Sequence, residues 1–229
     1  MSRTHPWLPG PNDAPTRSPR RRSFEAAIAI LDADGEAALT FRALAARLST
    51  GAGAIYWHVA DKNDLLAAAA DDIVAQVMAK IPAEAEPRAA IRAMALNVFE
   101  AVDAHPWVGA QFFRDPSRPA ALRILEGVGR QLHALGVPEA AQFDTATALA
   151  SYILGVAGQN AANARQARES GRTDRSAFLG EIADRWAALD PEQHPFVRRM
   201  AAQLRDHDDR AQFLAGVDLI LAGAASLIG

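Results

Sequence analysis

The stretch "LTFRALAARLSTGAGAIYWHVADKNDLL", Leu39 to Leu66, holds several helix signals and two breaks in a short span. Thr40 is a good N-cap for a short helix whose apolar set is Phe41, Leu44, Ala45 and Leu48, and Ser49-Thr50-Gly51 breaks it. A second short helix is predicted over about 52–58. Asp61 then caps a longer one, with Leu65, Leu66, Ala69, Ile73, Val77 and Met78 along one side before Pro82. Two short helices joined by a tight turn describe a helix-turn-helix, whose second helix enters the major groove of DNA while the first spans the backbone.

Upstream, Phe24, Ala27, Ile28 and Leu31 recur at helical spacing from about Arg20, and Asp34-Gly35 supplies a stop. Residues 1–19 are rich in Pro and polar residues without periodicity, which predicts a disordered arm. Five arginines (Arg3, Arg17, Arg20, Arg21, Arg22) against the single acid Asp13 give residues 1–23 a charge of +4, leaving −7 for the rest of the formal −3. Phosphate binding depends on such local concentration of Arg rather than on whole-chain charge, although a solvated tail has the same composition.

The chain has 229 residues, 50% of them hydrophobic, enough for a sizeable core. The absence of cysteine excludes disulfides, thiolate zinc sites and Cys nucleophiles. No run approaches the roughly 18 apolar residues of a membrane span, and the N-terminus carries prolines where a signal peptide would be apolar. A soluble, cytoplasmic protein without membrane association is expected. Beyond Pro87, amphipathic helices are predicted at about 87–104, 106–113, 116–135, 139–169, 176–188, 191–205 and 208–228, with "RESGRTDR", Arg168 to Arg175, as an exposed connection. No segment joins period-2 alternation to β-branched residues, so the fold class is all-α.

The run Tyr56-Trp57-His58-Val59, with Lys62 four residues after His58 and Leu65-Leu66 beyond, makes residues 20–70 resemble the DNA-binding region of the TetR family. More weakly, "HPWVGAQFF", "SYILGVAGQ" and "FLAGVDLILAGAASL" are similar to that family's ligand-binding and dimerising half. The resemblance implies a three-helix head over 20–66, after the arm at 1–19, joined by a linking helix to a helical ligand-binding and dimerisation domain over 67–229. It implies a regulator of transcription, a repressor released from a palindromic operator by a small-molecule effector. Its backbone-contacting roles fall on Thr40, Tyr56, His58 and Lys62, and its base-reading role in the first short helix falls on Arg42. Arginine can pair bidentately with guanine O6 and N7.

The chain departs from the family where Gly is usual in the turn, having Ser49, and where polar residues or Pro open the reading helix, having Gly51, Ala52, Gly53 and Ala54. Base readout is therefore expected to lean on Arg42 and Thr50, with Ala52 and Ala54 against thymine methyls and Gly51 among the DNA-binding positions. Arg20, Arg21 and Arg22 would add phosphate or minor-groove contacts. Phe41 belongs to the apolar face of its helix and reads as packing that can also touch DNA; Trp57 reads as core.

In the remainder, Trp107, Phe112, Phe113, Leu125, Phe143, Tyr152, Gln159, Asn160, Asn163, Phe178 and Trp186 combine large apolar groups with sparse amides. Such a mixture can line a small-molecule pocket, and it also makes up ordinary cores. Small residues on the two longest apolar helices, Ala146, Ala150, Gly155 and Gly158, then Gly216 and Gly223, would allow close packing in a homodimer or within one chain, with Ile220 on the same interface. The histidines lack metal-ligand spacing and no nucleophile elbow occurs, so no metal, cofactor or enzymatic activity is expected. Two alternatives stay open: an activator or effector-independent regulator, and a helical ligand-binding protein with a vestigial head.

Overall fold

A computed structural model describes residues 19–49, 61–82, 84–114, 117–169 and 175–228. Among them every regular element is helical, as the periodicity predicts. The chain divides into two units, Met1–Ala69 and Ala70–Gly229.

In the first unit, α1 (Pro19–Asp34) stops where Gly35 takes φ 76°, its N–H bonding back to Leu31 O at 3.1 Å. A positive φ costs glycine nothing, which is why Asp34-Gly35 works as a stop. One 3-10 turn (Glu36–Ala38) leads to α2 (Phe41–Leu48), which packs on α1. Thr40 caps α2 by accepting the Ala43 N–H on Oγ1 at 3.1 Å. Phe24, Ala27, Leu31, Leu39, Leu44, Leu65 and Leu66 are buried and form this unit's core. The last two come from α3 (Lys62–Met78), which Asp61 caps by accepting the Asp64 N–H at 2.9 Å. Helix α3 gives Lys62 to Ala69 to the first unit and Ala70 to Met78 to the second.

In the second unit, α4 (Pro87–Ala104) and α7 (Glu139–Glu169) pack on each other. Around them lie α5 (Pro106–Arg114), α6 (Pro119–Ala134) and α10 (Asp209–Ala225), each in contact with both. Ile91, Val98 and Val102 of α4, Ile124 and Val128 of α6, Leu149 and Ile153 of α7 and Phe213 and Val217 of α10 fill this core. Helices α8 (Arg175–Ala187) and α9 (Pro195–Arg205) form a hairpin by packing on each other.

Prolines at the first turn of α4, α6 and α9 lack the N–H that would be orphaned there and preset φ for a helix. The Glu86 carboxylate caps α4 by accepting the Arg88 and Ala89 N–H groups at 3.0 and 2.9 Å, and these bonds hold its pKa below the usual value. Asp71 of α3 accepts the Ala120 N–H at the start of α6 at 2.7 Å, while burial pushes its carboxyl pKa up.

Several helix ends differ from expectation, among them the start of α6, at Pro119 rather than 116. Helix α9 begins at Pro195 rather than 191, because Asp190 Oδ1 accepts the N–H groups of Glu192 and Gln193 at 2.8 and 2.9 Å and holds them in a turn. Helix α3 ends at Met78, where Ala79 to Ile81 tighten into turns before Pro82. Helix α10 ends at Ala225, with Ser226 Oγ donating to Gly223 O at 2.7 Å.

Candidate nucleic-acid interface and sensor site

The start of α2 and the start of α3 meet around an open concavity lined by Leu39, Thr40, Phe41, Lys62 and Leu65. Thr40 is exposed even while capping, Phe41 is half-buried, and Arg42 in the first turn of α2 is exposed. Lys62 donates its ammonium to the carbonyl of Glu36, which ties the head of α3 to the 3-10 turn. The ammonium has three N–H donors, so this bond leaves two for a phosphate. On α1, Arg21 and Arg22 are exposed, and Arg21 Nε pairs with Glu25 at 3.2 Å. Thr50, Gly51, Ala52, Ala54, Tyr56 and His58 lie outside the described residues, as do Trp57 and the side chain of Arg20.

The turn after α2 opens with Ser49 in the left-handed region, φ 53° and ψ 38°, its N–H shared between Ala45 O and Ala46 O. A Cβ in this conformation costs about 1–2 kcal/mol. Ser49 is the one non-glycine residue at positive φ among those described. A Ser49→Gly protein should therefore show slower hydrogen exchange in α1 and α2, corresponding to about 1 kcal/mol of added local stability. Unchanged or faster exchange would show that the serine side chain stabilises the turn.

In the second unit the proposed pocket residues separate by helix. Trp107 on α5 is buried, and Leu125 on α6 is half-buried. Asn160 on α7 donates Nδ2 to Asp103 at 3.3 Å, while Gln159 and Asn163 are exposed. Helices α5 and α7 come close at Gly109, where an added Cβ would sit 3.8 Å from Gly158 Cα and 3.2 Å from Val102. Trp107, Asn160 and Asp103 thus belong to one region where α4, α5 and α7 meet. Phe143 is 74% exposed near the start of α7, so in the single chain it faces outward and lines no enclosed space. Phe178 and Trp186 are half-buried on α8. The side chains of Phe112 and Phe113 lie outside the described residues.

Tyr152 is engaged elsewhere. Its hydroxyl donates to Phe213 O at 3.2 Å and its ring stacks on Phe213 at 5.7 Å between centroids, with Phe99 on Phe213 at 4.6 Å. Partial burial raises the Tyr152 pKa. The small residue opposite is Gly216, where a Cβ would fall 2.0 Å from the Tyr152 hydroxyl oxygen. Gly216 therefore serves the chain's own α7–α10 crossing. Ala150 is also buried in the single chain, Ala146, Gly158 and Ile220 are half-buried, and Gly155 and Gly223 are exposed with open space around them.

Sequence reasoning missed two features. Gln111, only 8% exposed on α5, has no hydrogen-bond partner for Nε2; an unsatisfied buried donor costs about 1–3 kcal/mol. Its one sequence signal is a lone amide inside the apolar run Trp107 to Phe113. Leu219 on α10, 75% exposed, was hidden by a helix whose only polar residue between Phe213 and Ala225 is Asp218.

Known proteins map onto this architecture of two units whose regular elements, among the described residues, are all helical. The family of bacterial regulatory proteins of the tetR type matches residues 24–69, and the tetracyclin repressor-like C-terminal domain matches residues 81–228. The chain belongs to the TetR family. A solved TetR transcriptional regulator from Streptomyces coelicolor is 47% identical, with a TM-score of 0.84 over 92% of this chain and 99% of that one. An HTH-type transcriptional regulator of Saccharopolyspora erythraea is 28% identical over 89% of this chain and 83% of its own. The HTH-type transcriptional repressor DrrR1 of Streptomyces coeruleorubidus is 26% identical over 93% and 82%. This TetR protein is thus a DNA-binding regulator of transcription rather than an enzyme. No helix among its described residues is long and apolar enough to cross a membrane.

Proposed function

We propose that this TetR protein is a cytoplasmic homodimeric repressor that leaves a palindromic operator when its body binds a small-molecule effector. The observation that carries the DNA-reading part is Arg42, exposed in the first turn of a helix whose cap, Thr40, is exposed beside it. Arg42 supplies base discrimination, Thr40 and Lys62 hold phosphates, and the arginines at the start of α1 add affinity that falls with salt. Tyr56 and His58 complete the phosphate set, and Thr50, Gly51, Ala52 and Ala54 make the remaining groove contacts.

Dimerisation would use the outward stripes of α7 and α10. Helix α10 is apolar nearly all round, yet Ala215, Leu219, Ala222 and Gly223 are exposed. A helix apolar on every side is stable only when every side is covered. Two such helices from each subunit would close a four-helix bundle about a two-fold axis. Release follows if effector binding favours a state in which the two heads no longer match successive major grooves; a coupling of about 1–3 kcal/mol is typical. Helix α3, continuous from Lys62 to Met78, is the element that would carry it.

Selection of bound duplexes from random DNA at physiological salt tests the reading. The expected product is a pseudo-palindrome with half-sites about 34–36 Å apart. In the same assay Arg42→Ala should relax selectivity at one base pair of each half-site by about 1–3 kcal/mol per contact. Retention of full discrimination by that variant would reassign the reading residue. Binding that is salt-sensitive but blind to sequence would favour a vestigial head.

A further inference from the structure

Two polar side chains are buried among the described residues, Gln111 and Thr145, and no charged one is. Thr145 is satisfied, donating Oγ1 to Ala141 O at 2.8 Å. Gln111 is not: no protein group accepts from its Nε2. It shares the inward face of α5 with Val108, which is fully buried, and Trp107, one turn earlier. That face meets α4 and α7, whose buried positions are apolar apart from the self-satisfied Thr145.

Native proteins pair nearly all buried donors, so an exception calls for an acceptor supplied from outside the chain. An amide NH2 recognises an oxygen or ring nitrogen that accepts. With no buried Lys or Arg among the described residues to balance it, a carboxylate or phosphate taken into this interior would remain an uncompensated charge. We propose that Gln111 is the specificity-determining donor for the effector, and that the effector is an uncharged, mainly apolar carbonyl compound whose C=O accepts from Nε2 in the region between α4, α5 and α7. This rests on the effector-binding reading of the body and names the ligand class it requires. The amide then plays the usual part of a sparse polar group in an apolar pocket: it adds orientation, and it discriminates against ligands that leave it unpaired.

The test uses the full-length protein and three ketones with their methylene counterparts: fluorenone and fluorene, xanthone and xanthene, cyclododecanone and cyclododecane. Dissociation constants are measured for wild type, Gln111→Leu and Gln111→Met. Infrared spectra of each bound ketone report its carbonyl stretch, and affinity for the selected duplex is followed in parallel. At least one ketone is expected to bind wild type about tenfold tighter than its methylene partner. That preference should vanish in both variants, and the carbonyl stretch should move to higher frequency as the hydrogen bond is lost. Without ligand, neither variant should melt below wild type, since each removes an unpaired polar group. The assignment of Gln111 is overturned if the preference survives in the variants, or if wild type binds ketone and hydrocarbon equally, as it would if water satisfied the amide. Failure of all three ketones to bind overturns the ligand class. So does tighter binding of fluorenone-2-carboxylate than of fluorenone. Ketone selectivity that depends on Gln111 but leaves duplex affinity unchanged would keep the site and remove effector-controlled release. Release by ketone and hydrocarbon alike would keep that release and remove Gln111.

Discussion

A Gly216→Ala protein is expected to unfold with a loss of about 3 kcal/mol, although alanine has the higher helix propensity by about 1 kcal/mol. The new Cβ would lie 2.0 and 2.2 Å from the hydroxyl oxygen and Cζ of Tyr152, so the ring must leave its place. This ring is not a flexible tip. It is stacked on Phe213 with an interplanar angle of 11° and bonded to Phe213 O. Overpacking costs about 1–3 kcal/mol, the aromatic pair about 0.5–1.5 kcal/mol, and the hydrogen bond about 0.5–1.5 kcal/mol. For a chain of this size the loss should lower Tm by roughly 6–12 °C. A Tyr152→Leu background removes the obstacle, and there Gly216→Ala should cost far less, the difference being the coupling between the two sites. Gly129→Ala, on α6 with nothing within 4 Å of the added Cβ, should be neutral or stabilising. Equal effects at Gly129 and Gly216 would refute the close approach of α7 and α10.

Leu219→Glu is expected to disrupt the dimer. The substitution leaves the single chain's core untouched, because Leu219 is 75% exposed there while Val217 and Leu221 point inward. In an isologous interface the change enters twice, once from each subunit. Burying unpaired carboxylates costs about 3–5 kcal/mol, which corresponds to roughly two to three and a half orders of magnitude in dimer affinity. Sedimentation should then find monomers at micromolar concentration with unchanged far-UV circular dichroism. Affinity for a palindromic duplex should fall by at least about a hundredfold while binding to a half-site changes little. A dimer of wild-type strength would move the interface off α10.

The helical layout was legible because its ends are written locally. Thr40 and Asp61 are caps, Gly35 is a stop and Pro87 stands in a first turn, whereas Pro119 and Pro195 open helices whose starts the periodicity places earlier, at 116 and 191. The start of α9 was misjudged because an aspartate side chain, Asp190, holds residues that have adequate helical character. Resemblance identified the head through the joint spacing of Tyr56, His58 and Lys62. The body was less transparent for a physical reason. Helices α7 and α10 are so uniformly apolar or small that periodicity does not separate the inward face from the outward one. Gly216 and Gly223 look alike in sequence, yet one accommodates a tyrosine ring and the other has open space. Gln111 was similarly hidden, because burial and lack of a partner are properties of α5 against its neighbours rather than of the residue itself.

The hydrogen bond from Lys62 to Glu36 O bears on how tightly a cation can grip DNA. A free lysine has about 2 kcal/mol of rotamer entropy to lose when its ammonium settles on a phosphate. Lys62 has already surrendered part of that freedom in folding, with two N–H groups still available. A phosphate reaching this point finds a charge that is already steered, so the contact should hold more of its Coulombic attraction as net affinity than an unrestrained surface lysine could.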